Sequence, residues 1–244
     1  MDFKLKYFMT RNKAHANNSS TRFTSYADRE VKTFSILARL SKLSNNFEWK
    51  AKKILDLGAG DQFLKDQFTH LGAKYTPIDY DQADFNNDKL PYSKDTFDVI
   101  FSLAVIEHLH NIDNFLSETY RILKPGGILY LSTPNFRYCY KSFYDDPTHI
   151  RPYTETSISR TLTIFGFEKV IAFPGLRCKS DWFYTNKFKF FISAYIPFKK
   201  NKWFVPSILT GRATSVIAIC CKPNWYRILY IQPKTIFFRF PTKS

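Results

Sequence analysis

The chain has 244 residues, is 44% hydrophobic and 18% aromatic, and carries 36 Lys and Arg against 21 Asp and Glu, a net charge of +15. That length suits one α/β domain of ordinary size with extensions and is too short for two comfortable ones. Cys139, Cys178, Cys220 and Cys221 form no C-x-x-C pair and no zinc spacing with histidine, so they read as packed thiols rather than ligands or disulfides.

In chain order, residues 1–50 are expected to form cap helices. Met1 to Asn18 is basic and polar without an apolar signal-like run, so no secretory leader is expected and the location is cytoplasmic. Ala27 to Leu43 predicts a helix whose apolar face holds Val31, Phe34, Ile36, Leu37 and Leu40. The core, residues 51–173, opens with Lys53 to Leu57, a short apolar strand of the kind buried on both faces of a parallel sheet. Gly58 and Gly60 then break the pattern, and glycine lets backbone approach a ligand where a Cβ would stand in the way. Phe63 to Leu71 follows as a helix, completing strand, tight turn and helix. Further on, Asn111 to Leu123 predicts a helix with one buried face. Ile128 to Leu131 reads as a buried strand, Thr154 to Phe165 as a helix capped by Thr154, and Phe167 to Phe173 as a strand.

Residues 174–213 form a basic and aromatic insertion, with Trp182, Phe183, Tyr184, Phe188, Phe190, Phe191, Tyr195, Phe198, Trp203 and Phe204 among the lysines. Residues 214–244 then supply a last strand, Ser215 to Cys221, and a basic tail. From 182 to 244 there are eleven basic residues and no acid, and the longest apolar run falls well short of the ~18 residues that span a bilayer. Three readings fit this region: a substrate lid with a solvated lysine face, a segment lying on an anionic membrane, or a nucleic-acid surface.

The turn at 58–60 is not a dinucleotide fingerprint, because Phe63 stands where the third glycine belongs, and no phosphate-binding G-x-x-x-x-G-K-[ST] is present. Asp56 lies two residues before the first glycine, where a carboxylate can hold an ammonium or order the loop. Leu55-Asp56-Leu57-Gly58-Ala59-Gly60 resembles motif I of the class I S-adenosylmethionine-dependent methyltransferases, in particular the type 11/23-like small-molecule group. Other segments agree in order: Tyr75 to Asp79 resembles the family's second strand and its ribose-binding acid. Leu90-Pro91-Tyr92 with Thr96 to Ile100 resembles the approach to its fourth strand. Val105 to Leu109 resembles the EHL turn, Arg121 to Gly127 the corner before the fifth strand, and Tyr130 to Asn135 that strand's exit.

The resemblance implies a Rossmann-like, doubly wound, mostly parallel sheet whose last strand is antiparallel. Too few residues separate Asp79 from Phe97 for the usual third strand, which is therefore expected to be missing or vestigial. It also implies S-adenosylmethionine as cofactor, held by Asp56, Gly58, Ala59, Gly60, Asp79, Tyr80, Asp84, Ser102 and Leu103. The adenine-side acid is open among Asp84, Asn86 and Asp88, with Asp84 chosen. Gln62 departs from the family, which usually has glycine there; its side chain would crowd the methionine end of the cofactor or bond to it.

Acceptor chemistry is expected on loops outside the carboxyl ends of the strands. Asp145 to Tyr153 falls there, and related methyltransferases often show a similar H-x-R-x-Y run. His149 is the candidate general base, since a free imidazole titrates at about 6.5. Arg151 and Tyr153 are candidate acceptor-binding residues. His108 belongs to a motif more often structural. Ala104 replaces the first acid of the metal-associated Glu-x-x-Glu-His of ubiquinone-type O-methyltransferases, so no metal is expected. Ser102 to Val105 lacks the [ND]-P-P-[YF] element of exocyclic-amine methyltransferases. The expected reaction is O-methylation of a small or lipid-linked acceptor such as a glycan, quinone or lipid intermediate. The cytoplasmic location then extends to the inner membrane face. An RNA methyltransferase using the basic C-terminal region, or a cofactor-binding domain without turnover, are the alternatives.

Overall fold

The computed structural model describes residues 20–175, 186–193 and 214–224. Its organising feature is β1 (Lys53–Leu57), hydrogen-bonded on one side to β2 (Lys74–Ile78) and on the other to β3 (Phe97–Leu103), both parallel to it. β4 (Leu123–Pro134) continues the parallel run, and β6 (Ser215–Cys221) lies antiparallel between β4 and β5 (Glu168–Pro174). The order β2-β1-β3-β4-β6-β5 makes one six-stranded sheet with the expected antiparallel last strand.

Both sides of this sheet are covered, which is why its strands read as unbroken apolar runs rather than alternating ones. Leu55, Leu57, Ile100, Leu129 and Leu131 face one cluster, which receives Phe115, Leu116 and Ile122 of α3 (Ile112–Ile122) and Ile158 and Leu162 of α5 (Glu155–Ile164). Their neighbours Ile54, Val99, Phe101, Ile128 and Tyr130 face the other. There they meet Phe34 and Leu37 of α1 (Ser20–Leu40), Phe68 of α2 (Lys65–His70) and Phe190 of α6 (Lys187–Ser193). That second face is largely aromatic: the Phe34 ring sits 4.7 Å from Trp49 and 5.6 Å from Phe101. Each such fully buried side chain contributes roughly 1.5–3 kcal/mol.

No third strand forms between β2 and β3; residues 79–96 run as turns and extended loop. β2 is therefore a sheet edge, where Pro77, which has no N–H to donate, and the exposed Lys74 both fit. Several boundaries move for local reasons. β4 begins at Leu123, because Leu123 pairs with Phe97 before a bulge, and the regular register resumes at Ile128 with Val99. α2 is shorter than the apolar spacing predicts, while α1 starts earlier, at Ser20. α5 is opened by Thr154, whose hydroxyl accepts the Ser157 N–H at 3.2 Å while the Ser157 hydroxyl accepts the Thr154 N–H at 2.8 Å.

Two observations bear on the basic aromatic region. Lys222 is buried, its ammonium bonded to Asp95 Oδ1 at 2.6 Å and to the carbonyls of Tyr120 and Leu123, so this basic residue clamps the end of β6 to the α3–β4 corner. Phe190 packs on Phe173 at 5.0 Å, whereas Phe188, Phe191 and Ile192 are exposed. Trp182, Phe183, Tyr184, Tyr195, Phe198, Trp203 and Phe204 lie outside the described residues, as do Cys178 and the tail after residue 224. Among the described residues no helix is long and apolar enough to cross a membrane.

Candidate active site

At the carboxyl ends of β1, β2 and β3 the loops enclose a cavity of about 230 Å³. Gly58, Ala59, Gly60 and Asp61 form one wall, Asp79, Tyr80, Phe85 and Asn86 a second, and Leu103, Ala104, Val105, His108 and Leu109 a third. Tyr26 of α1 and Phe63 also line it, their rings 5.3 Å apart.

The glycine loop is built by β2. The Ile78 carbonyl accepts the N–H groups of Gly58 at 2.8 Å and Ala59 at 3.2 Å, and Asp79 Oδ2 accepts that of Gly60 at 2.8 Å. These donors are turned toward the protein, whereas a phosphate cradle keeps them aimed at its ligand. Gly58 has φ +89° and a Cβ built on it would overlap Val105 Cγ2, so glycine is required both by the backbone and by the neighbouring loop. Asp79, at the end of β2, accepts the Tyr80 N–H at 2.7 Å through Oδ1, and burial raises its pKa above the usual carboxylate value. An acid at the mouth, an aromatic and aliphatic lining and inward-turned amides fit a cofactor with sugar hydroxyls, a flat base and no phosphate. S-adenosylmethionine meets that description; Gly58 to Gly60, Asp79, Tyr80 and Leu103 would hold it.

Other predicted cofactor residues sit elsewhere. Asp56 lies beneath the loop, buried, with the Tyr75 hydroxyl donating to its Oδ2 at 2.6 Å, and burial pushes its pKa up to about 7. It orders the β1–β2 junction and does not line the cavity. Asp84 does not line it either; its carboxylate takes the Asn86 N–H at 2.9 Å and the side-chain amide of Asn87 at 2.8 Å. Phe85 and Asn86 come to the cavity in its place. Ser102 is buried and its hydroxyl has no hydrogen-bond partner among the described residues. Gln62 is absent from the cavity wall and adopts φ +55°, which explains a preference for glycine at this position by backbone conformation.

On the acceptor side, His149 does not line the cavity, but its ring packs 4.8 Å from that of His108, which does. His149 Nδ1 donates to the Phe143 carbonyl at 2.6 Å, and its Nε2 lies 3.8 Å from Asp146 Oδ2. Arg151 is exposed, its guanidinium reaching the His110 carbonyl at 3.5 Å. Tyr153 is packed in the core, where burial raises its pKa. Glu107 and His108, of which the sequence reading left His108 in a motif more often structural, organise this wall. The Glu107 carbonyl accepts the N–H groups of Ile150 at 2.8 Å and Arg151 at 3.1 Å, and its Oε2 accepts the Thr133 hydroxyl at 2.9 Å. Glu107, His108 and His149 thereby bring a carboxylate and two imidazoles within 4.8 Å of one another, donor types that can also hold a cation. Sequence spacing could not show this grouping, since His149 comes from a different loop. The available signal was Glu107-His108 directly after an apolar strand.

A doubly wound sheet with its cavity at the strand ends, a glycine loop whose amides turn inward and an acid closing the second strand are features of a Rossmann-like methyltransferase fold. The model of a methyltransferase-domain family matches residues 23–172. The chain belongs to that family, and with it to the class I S-adenosylmethionine-dependent methyltransferases, whose cofactor is S-adenosylmethionine. It is 29% identical over 135 residues to a probable S-adenosylmethionine-dependent methyltransferase of Mycolicibacterium smegmatis, covering 48% of this chain and 52% of that one. To the ubiquinone biosynthesis O-methyltransferase of Pelagibacter ubique it is 31% identical over 101 residues, 34% of this chain and 42% of the relative. The chain thus spans about half the length of the curated relatives it matches. An Archaeoglobus fulgidus SAM-dependent methyltransferase structure shares the fold, with TM-score 0.53 and 17% identity over 77% of this chain and 93% of that one.

Proposed function

We propose that the protein transfers a methyl group from S-adenosylmethionine to a hydroxyl of a small or lipid-linked acceptor. The observation that carries this reading is the third cavity wall, where one imidazole, His108, stands among the apolar side chains of Leu103, Val105 and Leu109. Similarity to proteins named as ubiquinone biosynthesis O-methyltransferases supports it. The cofactor supplies a methyl carbon on a positively charged sulfur, a leaving group already activated. The chain's own residues then have three tasks: placing the acceptor oxygen in line, taking its proton and excluding water. Asp79 and the stapled loop fix the cofactor side, the apolar wall keeps water out, and the imidazole cluster receives the proton. The exposed Phe188, Phe191 and Ile192 of α6, in a region rich in lysine, favour a lipid-linked acceptor reached from the cytoplasmic face of an anionic membrane.

Titration calorimetry with S-adenosylmethionine tests the first half. Saturable binding is expected, weakened by about 10- to 100-fold in Asp79→Ala, as the loss of a charge-assisted hydrogen-bond partner implies. No saturable binding, or binding indifferent to Asp79→Ala, removes the reading. Mass spectrometry of cell extracts incubated with enzyme and labelled cofactor identifies the acceptor; a labelled amine and no ether would replace O- by N-methylation. Flotation with phosphatidylserine vesicles tests the membrane part, with Phe188→Ser plus Ile192→Ser expected to reduce binding.

A further inference from the structure

Resting on S-adenosylmethionine as the cofactor and independent of the acceptor, the geometry points to Asp61 as the residue that holds the α-ammonium of the cofactor's methionine end. Position in the sequence suggested Asp56 for an ammonium, but Asp56 is not placed for it. It lies beneath the loop, 2% exposed, with the Tyr75 hydroxyl on its carboxylate at 2.6 Å. Asp61 is exposed and lines the cavity itself.

The charges around the cavity suit an organic cation. Among the described residues that line it, the carboxylates are those of Asp61 and Asp79, and no lysine or arginine joins them, although the whole chain carries +15. Arg29, whose guanidinium stands 5.7 Å from the Tyr26 ring, is not part of the wall. Asp79 is already engaged. Its Oδ2 accepts the Gly60 N–H at 2.8 Å and its Oδ1 the Tyr80 N–H at 2.7 Å, which leaves it lone pairs for sugar hydroxyls. Asp61 accepts no hydrogen bond among the described residues. Burial first, and then the charges of Asp81 and Asp61, raise the pKa of Asp79, so a positive group near Asp61 and Asp79 relieves a repulsion the empty cavity carries.

Hydrogen-bond chemistry narrows the partner further. An ammonium has donors only and needs an acceptor. The N–H groups of Gly58, Ala59 and Gly60 are donors too, and they are spent on Ile78 and Asp79. Asp61 follows directly on Gly60, so its carboxylate starts beside the sugar-binding acid. Phe63, two residues on, brings to the same cavity a ring 5.3 Å from that of Tyr26. An acid next to aromatic faces is the setting in which an organic cation is held best.

Titration calorimetry on the full chain with two thioether ligands isolates the contact: S-adenosylhomocysteine carries the amino-acid part and methylthioadenosine lacks it. Asp61→Asn should weaken S-adenosylhomocysteine by about 5- to 10-fold, the size of a charge-assisted bond at a wetted rim, and methylthioadenosine less than twofold. Asp61→Glu, which keeps the charge, should recover most of the loss. Equal losses for the two ligands, or no loss for either, would overturn the proposal. Asp56→Asn is the comparison, expected to shift both ligands alike because it acts through the loop; a loss confined to S-adenosylhomocysteine would return the ammonium to Asp56. If the wild type binds neither ligand, nor S-adenosylmethionine, the cofactor assignment itself fails; if it binds them and Asp61→Asn changes nothing, only the ammonium contact does.

Discussion

The two halves of the cavity are built by different means. On the cofactor half, residues 58–60 are stapled to Ile78 and Asp79 by main-chain amides, between strands that are direct neighbours. On the acceptor half, Glu107, His108, Thr133, Asp146, Thr148 and His149 come from three separate stretches, and side-chain contacts join them in addition to the two backbone bonds that tie loop 143–151 to Glu107. A backbone-built wall needs only the right shape and one or two particular residues, so it leaves a short contiguous signature. A side-chain-built wall needs every partner, and its members need not be near one another in sequence.

The sharpest way to break this contrast is at a point where the halves come together, Gly58 against Val105. Gly58→Ala should cost roughly 3 kcal/mol, from the overlap with Val105 and from a Cβ at positive φ, read by urea unfolding. Adding Val105→Ala should recover part of that. If the double variant is no better than the single one, packing between the loops is not the cause.

A smaller effect is expected from Asp56, which separates loop ordering from charge. Its pKa is raised from 3.8 to about 7 by burial, so the folded state holds a proton that the unfolded chain releases. Stability contributed by this group is therefore fully present below about pH 4, declines as pH rises toward 7, and is level above. Asp56→Asn, which can still accept from Tyr75, should flatten that slope and stabilise the protein at pH 8 by about 1–3 kcal/mol. A variant that is less stable at pH 8 would show that the carboxylate itself is needed.

The smallest change is at Gln62. Gln62→Gly should raise stability by about 0.5–1 kcal/mol by relieving left-handed backbone, with cofactor affinity changed less than twofold. A large gain in affinity would instead mean that the glutamine side chain crowds the methionine end.

Much of the framework was legible in the sequence. Ser215 to Cys221 has the same limits in the structure, because a β-branched apolar run between turn residues has few alternatives. Thr154 signals the start of α5 because capping is a local interaction. The absent third strand followed from the short stretch between Asp79 and Phe97, a matter of chain length alone. Asp84 is a residue that sequence could not place: it and Asn86 are both polar and close together, and which reaches the cavity depends on the turn that Asp84 itself ties with Asn86 and Asn87. His108 illustrates the same difficulty, since an imidazole after a strand gives no sign of which loop will pack over it.

The sequence by itself determined the sheet, the glycine turn and the acid after it, because these depend on hydrophobic period, backbone freedom and spacing, all local in the chain. Only the tertiary structure decided which side chains meet on the acceptor wall. Loop 143–151 folds back onto Glu107 through two backbone hydrogen bonds, and that long-range closure sets His149 against His108 and directs Thr148 and Asp146 to the imidazole that faces the cavity.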